Sequence, residues 1–161
     1  MKIHFQPIGF VHSPFRDVDE MPIQPSSAIS AEGYAEIFSQ YRAGLKDLNG
    51  FSHVLLLYYL HKVSRVDLTV TPFLDDEPRG IFSTRAPTRP NPIGISVVRL
   101  IKVASSRIYL SNIDILDNTP LLDIKPYVPD FDHPSDVQID IGWLSSSRDK
   151  IKGKMSDQRF K

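Results

Sequence analysis

The sequence predicts a mainly β domain, a single-sheet curled or closed barrel with one or two short helices. Three observations carry this expectation. Strand-like segments outnumber helical ones, and no regular βαβ alternation is present. None of the eight glycines falls in a G-x-G-x-x-G or P-loop spacing. A doubly wound nucleotide fold needs such a loop between its first strand and helix, so any nucleotide must be bound by another construction.

Lys2 to His12 carries Ile3, Phe5, Ile8, Phe10 and Val11, interrupted by Pro7 and Gly9. It reads as a first strand, bulged or at an edge. Ser13-Pro14 ends it, and residues 16–30 form a polar loop with Pro22 and Pro25. A short strand centres on Ala35-Glu36-Ile37-Phe38. Tyr41, Leu45 and Leu48 fall at helical spacing from Gln40, and Asn49-Gly50 supplies a stop. Phe51 to His61 is the strongest strand, and its nearly continuous apolar run predicts burial on both faces.

Val66 to Thr71 alternates as a half-buried strand, and residues 72–80 are an acidic turn region. Ile95, Val97, Ile101 and Val103 mark a strand joined through Ala104-Ser105-Ser106 to another over Arg107 to Leu116. Asp117 to Pro120 is a turn, followed by Leu121 to Tyr127 and a proline-broken loop through Pro134. Val137 to Ile141 reads as a last strand. The barrel domain is drawn over 1–144, with a polar, lysine-rich tail over 145–161.

At 161 residues the chain is long enough for one core without staples. Lys and Arg number 19 against 19 Asp and Glu, so no global basic field advertises nucleic acid, although a local patch is compatible. With no cysteine, disulfides, thiolate chemistry and sulfur-ligated zinc are excluded. No apolar run has the length of a membrane helix, and no signal-peptide core opens the chain. The expectation is a soluble, cytoplasmic protein.

Residues 83–94, Ser-Thr-Arg-Ala-Pro-Thr-Arg-Pro-Asn-Pro-Ile-Gly, hold two arginines, two threonines, an asparagine and three prolines. Each proline fixes its own φ and pushes the residue before it toward extended backbone. Such a loop holds polar groups in place. Arg85 and Arg89 can present planar forks to a carboxylate, a phosphate or a base edge. Asn91, between two prolines, can aim its amide. The alternative is a solvated surface loop. Asp117-Asn118-Thr119-Pro120 reads first as an ordinary turn, with Asp114 close enough to form a small carboxylate cluster. Lys125-Pro126-Tyr127 sets a cation and a phenol beside a rigid turn, where Tyr127 serves either packing or base stacking.

Metal is not expected. His53 and His61 share strand parity, but eight residues put them roughly 26 Å apart, and no H-x-H or H-E-x-x-H spacing occurs. No G-x-S-x-G elbow is present either.

Six segments, in order, resemble one family. They are Ile8-Gly9-Phe10-Val11-His12-Ser13-Pro14-Phe15, Phe51-Ser52-His53, Phe82-Ser83-Thr84-Arg85, Arg89-Pro90-Asn91-Pro92-Ile93-Gly94, Asp117-Asn118-Thr119-Pro120 and Asp123-Ile124-Lys125-Pro126-Tyr127. Together they closely resemble the TsaA-like, TrmO-type S-adenosylmethionine-dependent tRNA methyltransferases. The resemblance implies a single-sheet, non-Rossmann β-barrel and a homodimer with S-adenosyl-L-methionine near the subunit boundary. It also implies methylation of threonylcarbamoyladenosine beside the anticodon of tRNA.

By motif position, the resemblance makes Pro22, Ile23, Gln24, His61, Lys62, Arg85, Asp117, Asn118, Thr119 and Pro120 cofactor contacts. Arg85 or a nearby backbone group would anchor the methionine carboxylate, and Asp117 the ribose or amino group. Arg89, Asn91, Lys125 and Tyr127 would face the RNA. His53, His61, Asp114 and Tyr127 are all candidates for a base, and none is singled out. Two departures stand out. Asn118 replaces the family's usual glycine, which the left-handed tolerance of Asn accommodates. Longer members carry a C-terminal domain that this chain is too short to contain. The competing functions are a non-catalytic binding module and a hydrolase using Asp114 and Asp117.

Overall fold

The computed structural model describes residues 1–21, 31–133 and 138–145. Pro22, Ile23 and Gln24, and the tail beyond residue 145, lie outside the described residues. Six strands close into a barrel: β1 (Gly9–His12), β2 (Glu32–Ile37), β3 (His53–Tyr59), β6 (Ile93–Ala104), β7 (Arg107–Ser111) and β8 (Thr119–Pro126). Their order around the barrel is β1-β2-β7-β6-β3-β8, and β8 pairs back onto β1. Every pairing is antiparallel, and closure removes the exposed edges of an open sheet. Two short strands, β4 (Thr69–Val70) and β5 (Arg79–Gly80), pair separately. The mainly β, single-sheet barrel expectation is borne out.

The barrel is filled from every strand. Val11, Ala35, Leu56, Val98, Ile108 and Leu121 are each fully buried. Burying a Val, Leu or Ile side chain contributes about 1.5–3 kcal/mol, so this layer dominates stability. A smaller cluster of Val70, Ile81 and Ala86, with Phe73 against it, lies under the proline-arginine loop.

Several expectations are corrected. The apolar run of β3 is buried on one face only: Val54, Leu56 and Tyr58 point inward, while Leu55 and Leu57 are half-buried and Tyr59 is exposed. A barrel strand alternates whatever its composition, because one face must look outward. The helix from Gln40 is instead a 3-10 segment over Ser39–Leu45, followed by another over Leu48–Gly50. Asn49 Oδ1 there accepts the Val103 N–H at 2.6 Å, beside an irregularity in the β6–β7 register.

The first strand is confined to Gly9–His12, and the strand expected over Val66 to Thr71 shrinks to β4. The strand expected to reach Leu116 ends at Ser111. Asn112 takes φ 60°, which turns the chain so that residues 113–116 leave the ladder but stay buried. Residues 138–141 are not a strand, and Val137 lies outside the described residues. The one α-helix is α1 (Pro129–Asp132).

Candidate functional site

The proline-arginine loop is folded by its own polar groups. A 3-10 turn over Ile81–Ser83 delivers Thr84, whose Oγ1 donates to the Ile81 carbonyl (2.9 Å) and accepts the Ala86 N–H (3.2 Å). Arg89 Nη1 points back into the loop, 2.9 Å from the Thr84 carbonyl and 3.2 Å from that of Ile81. Its guanidinium lies over the Phe82 ring at 5.7 Å. Arg89 therefore ties the loop together. Trp143 Nε1 donates to the Ser83 carbonyl at 2.8 Å from the far end of the described chain.

The loop then joins the barrel. Leu60 N–H bonds the Pro92 carbonyl at 2.8 Å, which sets the His61-Lys62 turn beside the loop's end. Gly94 pairs with Tyr58 across β3 and β6, and a Cβ on Gly94 would overlap the Tyr58 ring. The glycine of the R-P-N-P-I-G motif is there to admit this ring.

A cleft of about 260 Å³ lies between loop and barrel, lined by residues that include Arg85, Tyr58, Leu60, Ile95 and Asp114. Its floor is polar. Tyr58 Oη and Ser96 Oγ are 2.9 Å apart, and Ser96 Oγ donates to Asp114 Oδ1 at 2.6 Å. All three residues are buried. Burial lifts the Asp114 carboxyl to about 6, against the opposing pull of the Ser96 hydroxyl and the Arg85 charge. Burial and the Asp114 charge push the Tyr58 phenol far above its usual range, so it stays protonated. His61 is lowered by burial and by Lys62, which favours its neutral ring.

The turn Asp117 to Pro120 leaves Asp114 by three residues. Asn118 takes φ 59°, the left-handed conformation expected from its tolerance. Thr119 Oγ1 donates to the Leu116 carbonyl at 2.7 Å and closes the turn. Asp117 is already engaged: Oδ1 accepts the Ser13 N–H at 3.2 Å and lies 3.4 Å from His12 Nδ1. Its Oδ2 takes Arg16 Nη1 at 3.1 Å and Asn118 Nδ2 at 3.0 Å. The carboxylate thus ties the end of β1 to the turn.

The remaining residues divide. Asn91 is exposed at the loop's rim. Lys125 pairs with Asp123 at 2.8 Å, and the Tyr127 N–H bonds the His53 carbonyl at 3.1 Å. Both sit near the His53 end of β3, whereas the cleft is at its Tyr58 end, on the order of 17 Å away at strand spacing. Tyr58 and Ser96 were not singled out from sequence. The available signal was parity: Ser96 shares the inward face of β6 with Val98 and Leu100, where a polar residue needs a partner. Among the described residues, no group of three or more His, Asp or Glu side chains could hold a metal ion.

An arginine-bearing loop over a polar-floored cleft, set on a closed antiparallel barrel, defines a non-Rossmann β-barrel ligand-binding domain. The family model for the tRNA-methyltransferase O N-terminal domain matches residues 10–133, and the chain belongs to that family. A protein of Pyrococcus abyssi named as a probable S-adenosyl-L-methionine-binding protein is 47% identical over 160 residues, covering 99% of this chain and 86% of that one. The Homo sapiens protein named tRNA (adenine(37)-N6)-methyltransferase is 38% identical over 82% of this chain and 32% of its own. The crystal structure of TrmO from Pseudomonas aeruginosa superposes with a TM-score of 0.71 at 40% identity, over 86% of this chain and 62% of that one. This chain therefore spans less than two thirds of that solved TrmO and about a third of the human protein.

Proposed function

We propose that this protein is an S-adenosyl-L-methionine-dependent methyltransferase acting on N6 of adenosine 37 in tRNA, with threonylcarbamoyladenosine as the acceptor. The observation that carries the reading is the cleft: one exposed cation, Arg85, opposite one buried carboxylate, Asp114, with apolar walls at Leu60 and Ile95. A zwitterionic amino acid joined to an adenine suits that distribution of charge and apolar surface. Membership of the tRNA-methyltransferase O family supports it.

In this reading Arg85 anchors the methionine carboxylate, and the backbone of Asn118 to Pro120 borders the adenine. His61, Lys62 and the segment Pro22-Ile23-Gln24 complete the cofactor site. Asp117 acts mainly by holding the turn, since both its oxygens already have partners. Asn91, at the rim, and Arg89, through the loop it braces, meet the RNA. Lys125 and Tyr127 form a more distant RNA contact. Transfer from a sulfonium is an in-line displacement, so holding donor and acceptor in line and excluding water lowers the barrier. A tRNA substrate goes with a cytoplasmic location.

The functional unit is proposed to be a homodimer. The outer face of β3 and β6 carries Leu55, Leu57, Tyr59, Ile93, Ile95 and Val97 in adjacent registers. Tyr59 and Ile95 are 41% and 51% exposed, which is unusual for so continuous an apolar strip. Ile93 and Ile95 also line the cleft, so a second copy seated there would border the cofactor.

The test is mass analysis of tRNA nucleosides after incubation with labelled methyl donor. Label in N6-methylated threonylcarbamoyladenosine supports the reading, and label in unmodified adenosine moves the acceptor. Saturable donor binding without transfer would favour a non-catalytic binding module, the reading suggested by the name of the Pyrococcus relative. No binding at high micromolar donor rejects both.

A further inference from the structure

The cleft contains one group able to take a proton at neutral pH. Of its lining residues, Tyr58, Arg85, Arg89 and Asp114 are ionisable. The arginines stay cationic. Tyr58 holds its proton and passes a hydrogen bond inward: because Ser96 Oγ donates to Asp114 Oδ1 at 2.6 Å, the Tyr58 hydroxyl, 2.9 Å away, is left to donate to Ser96. The chain of hydroxyls thus ends on a carboxylate, which lines the open cleft. The alternatives are placed elsewhere or occupied. His53 and Tyr127 meet each other near the other end of β3, and Asp117 is tied to Ser13, Arg16 and Asn118.

We propose that Asp114 is the catalytic base of the methyl transfer and that Ser96 and Tyr58 are positioning residues that fix its carboxylate. This rests on the methyltransferase reading above. As the acceptor nitrogen bonds the methyl carbon, the sulfur–methyl bond breaks and its electron pair stays on sulfur, leaving a neutral thioether. The nitrogen's proton passes to Asp114, which becomes a neutral acid and later loses that proton to water. A nitrogen whose lone pair is shared with a ring or a carbonyl is a poor nucleophile, so removing its proton as the bond forms is where a base helps most. The groups facing Asp114 are Tyr58 from β3, the uncharged Ser96 from β6, and Arg85 from the loop. None of these titrates between the pKa of Asp114, about 6, and neutrality.

The experiment is kcat/KM for tRNA against pH, with donor affinity measured by calorimetry on the same preparations. For the wild type, the logarithm of the rate should rise with unit slope and level off near pH 6. Asp114→Asn should bind the donor normally and lose about 10²–10⁴-fold in rate, together with that pH dependence. Ser96→Ala removes a hydrogen bond to the charged carboxylate, so its inflection should move to higher pH while activity above the inflection is largely kept. A folded, donor-binding Asp114→Asn with near-wild-type rate overturns the assignment. If that variant does not fold, an inflection unmoved in Ser96→Ala overturns it. A wild type that binds donor but methylates no tRNA rejects the methyltransferase reading instead, which keeps the two failures distinct.

Discussion

Single side chains at the cleft have separable tasks. Gly94 faces the Tyr58 ring, and its neighbour there is an aromatic ring held by a buried hydrogen bond. Gly94→Ala forces that ring away and should lower stability by about 1–3 kcal/mol, read as a fall in melting temperature. Arg85 and Arg89, four residues apart, should fail differently. Arg85→Ala removes an exposed cation and should weaken donor binding with melting temperature unchanged. Arg89→Ala frees loop carbonyls and should raise amide exchange across residues 81–92 as well as weakening binding. Equal exchange in the two variants would show that Arg89 does not hold the loop.

Between elements, the turn after residue 116 and the outer face of β3 and β6 are the informative places. Asn118 stands at φ 59° in the turn that opens β8. Asn118→Gly should be tolerated, whereas Asn118→Ala should cost about 1–2 kcal/mol, the strain of a left-handed alanine. Chemical denaturation of the pair checks this. Ile95 lies in the middle of the outward apolar strip, opposite Leu57. Ile95→Glu should convert a dimer to a monomer in light scattering, because charge at an apolar interface core is strongly disfavoured. A wild type already monomeric at micromolar concentration would reject the dimer.

The whole molecule registers the buried carboxylate in its stability. Asp114 has its folded pKa raised from 3.8 to about 6, so between these values the folded state binds a proton that the unfolded state releases. Its contribution to stability is therefore present at low pH and lost as pH rises toward 6. The loss is on the order of 3 kcal/mol for a shift of this size. Other carboxylates titrate in the same window, so the quantity to measure is the difference between wild type and Asp114→Asn. Wild type should lose ground to the variant between pH 4 and 6 and run parallel above it.

The strand content, the absence of a doubly wound unit and the binding character of residues 83–94 were legible in the sequence. Each depends on local rules: side-chain parity, glycine spacing, and the restraint that proline places on its neighbours. The left-handed Asn118 was legible for the same reason. Closure of the barrel was a tertiary matter, and it overrode the composition of β3 by turning half of an apolar strand outward. Tertiary structure also separated the two arginines, since only the fold brings Arg89 back to the carbonyls of Ile81 and Thr84. Tyr58, Ser96 and Asp114 are distant in sequence and come from three different segments. Their hydrogen-bonded chain exists because β3 and β6 pair with both polar groups inward, a register that no local rule encodes.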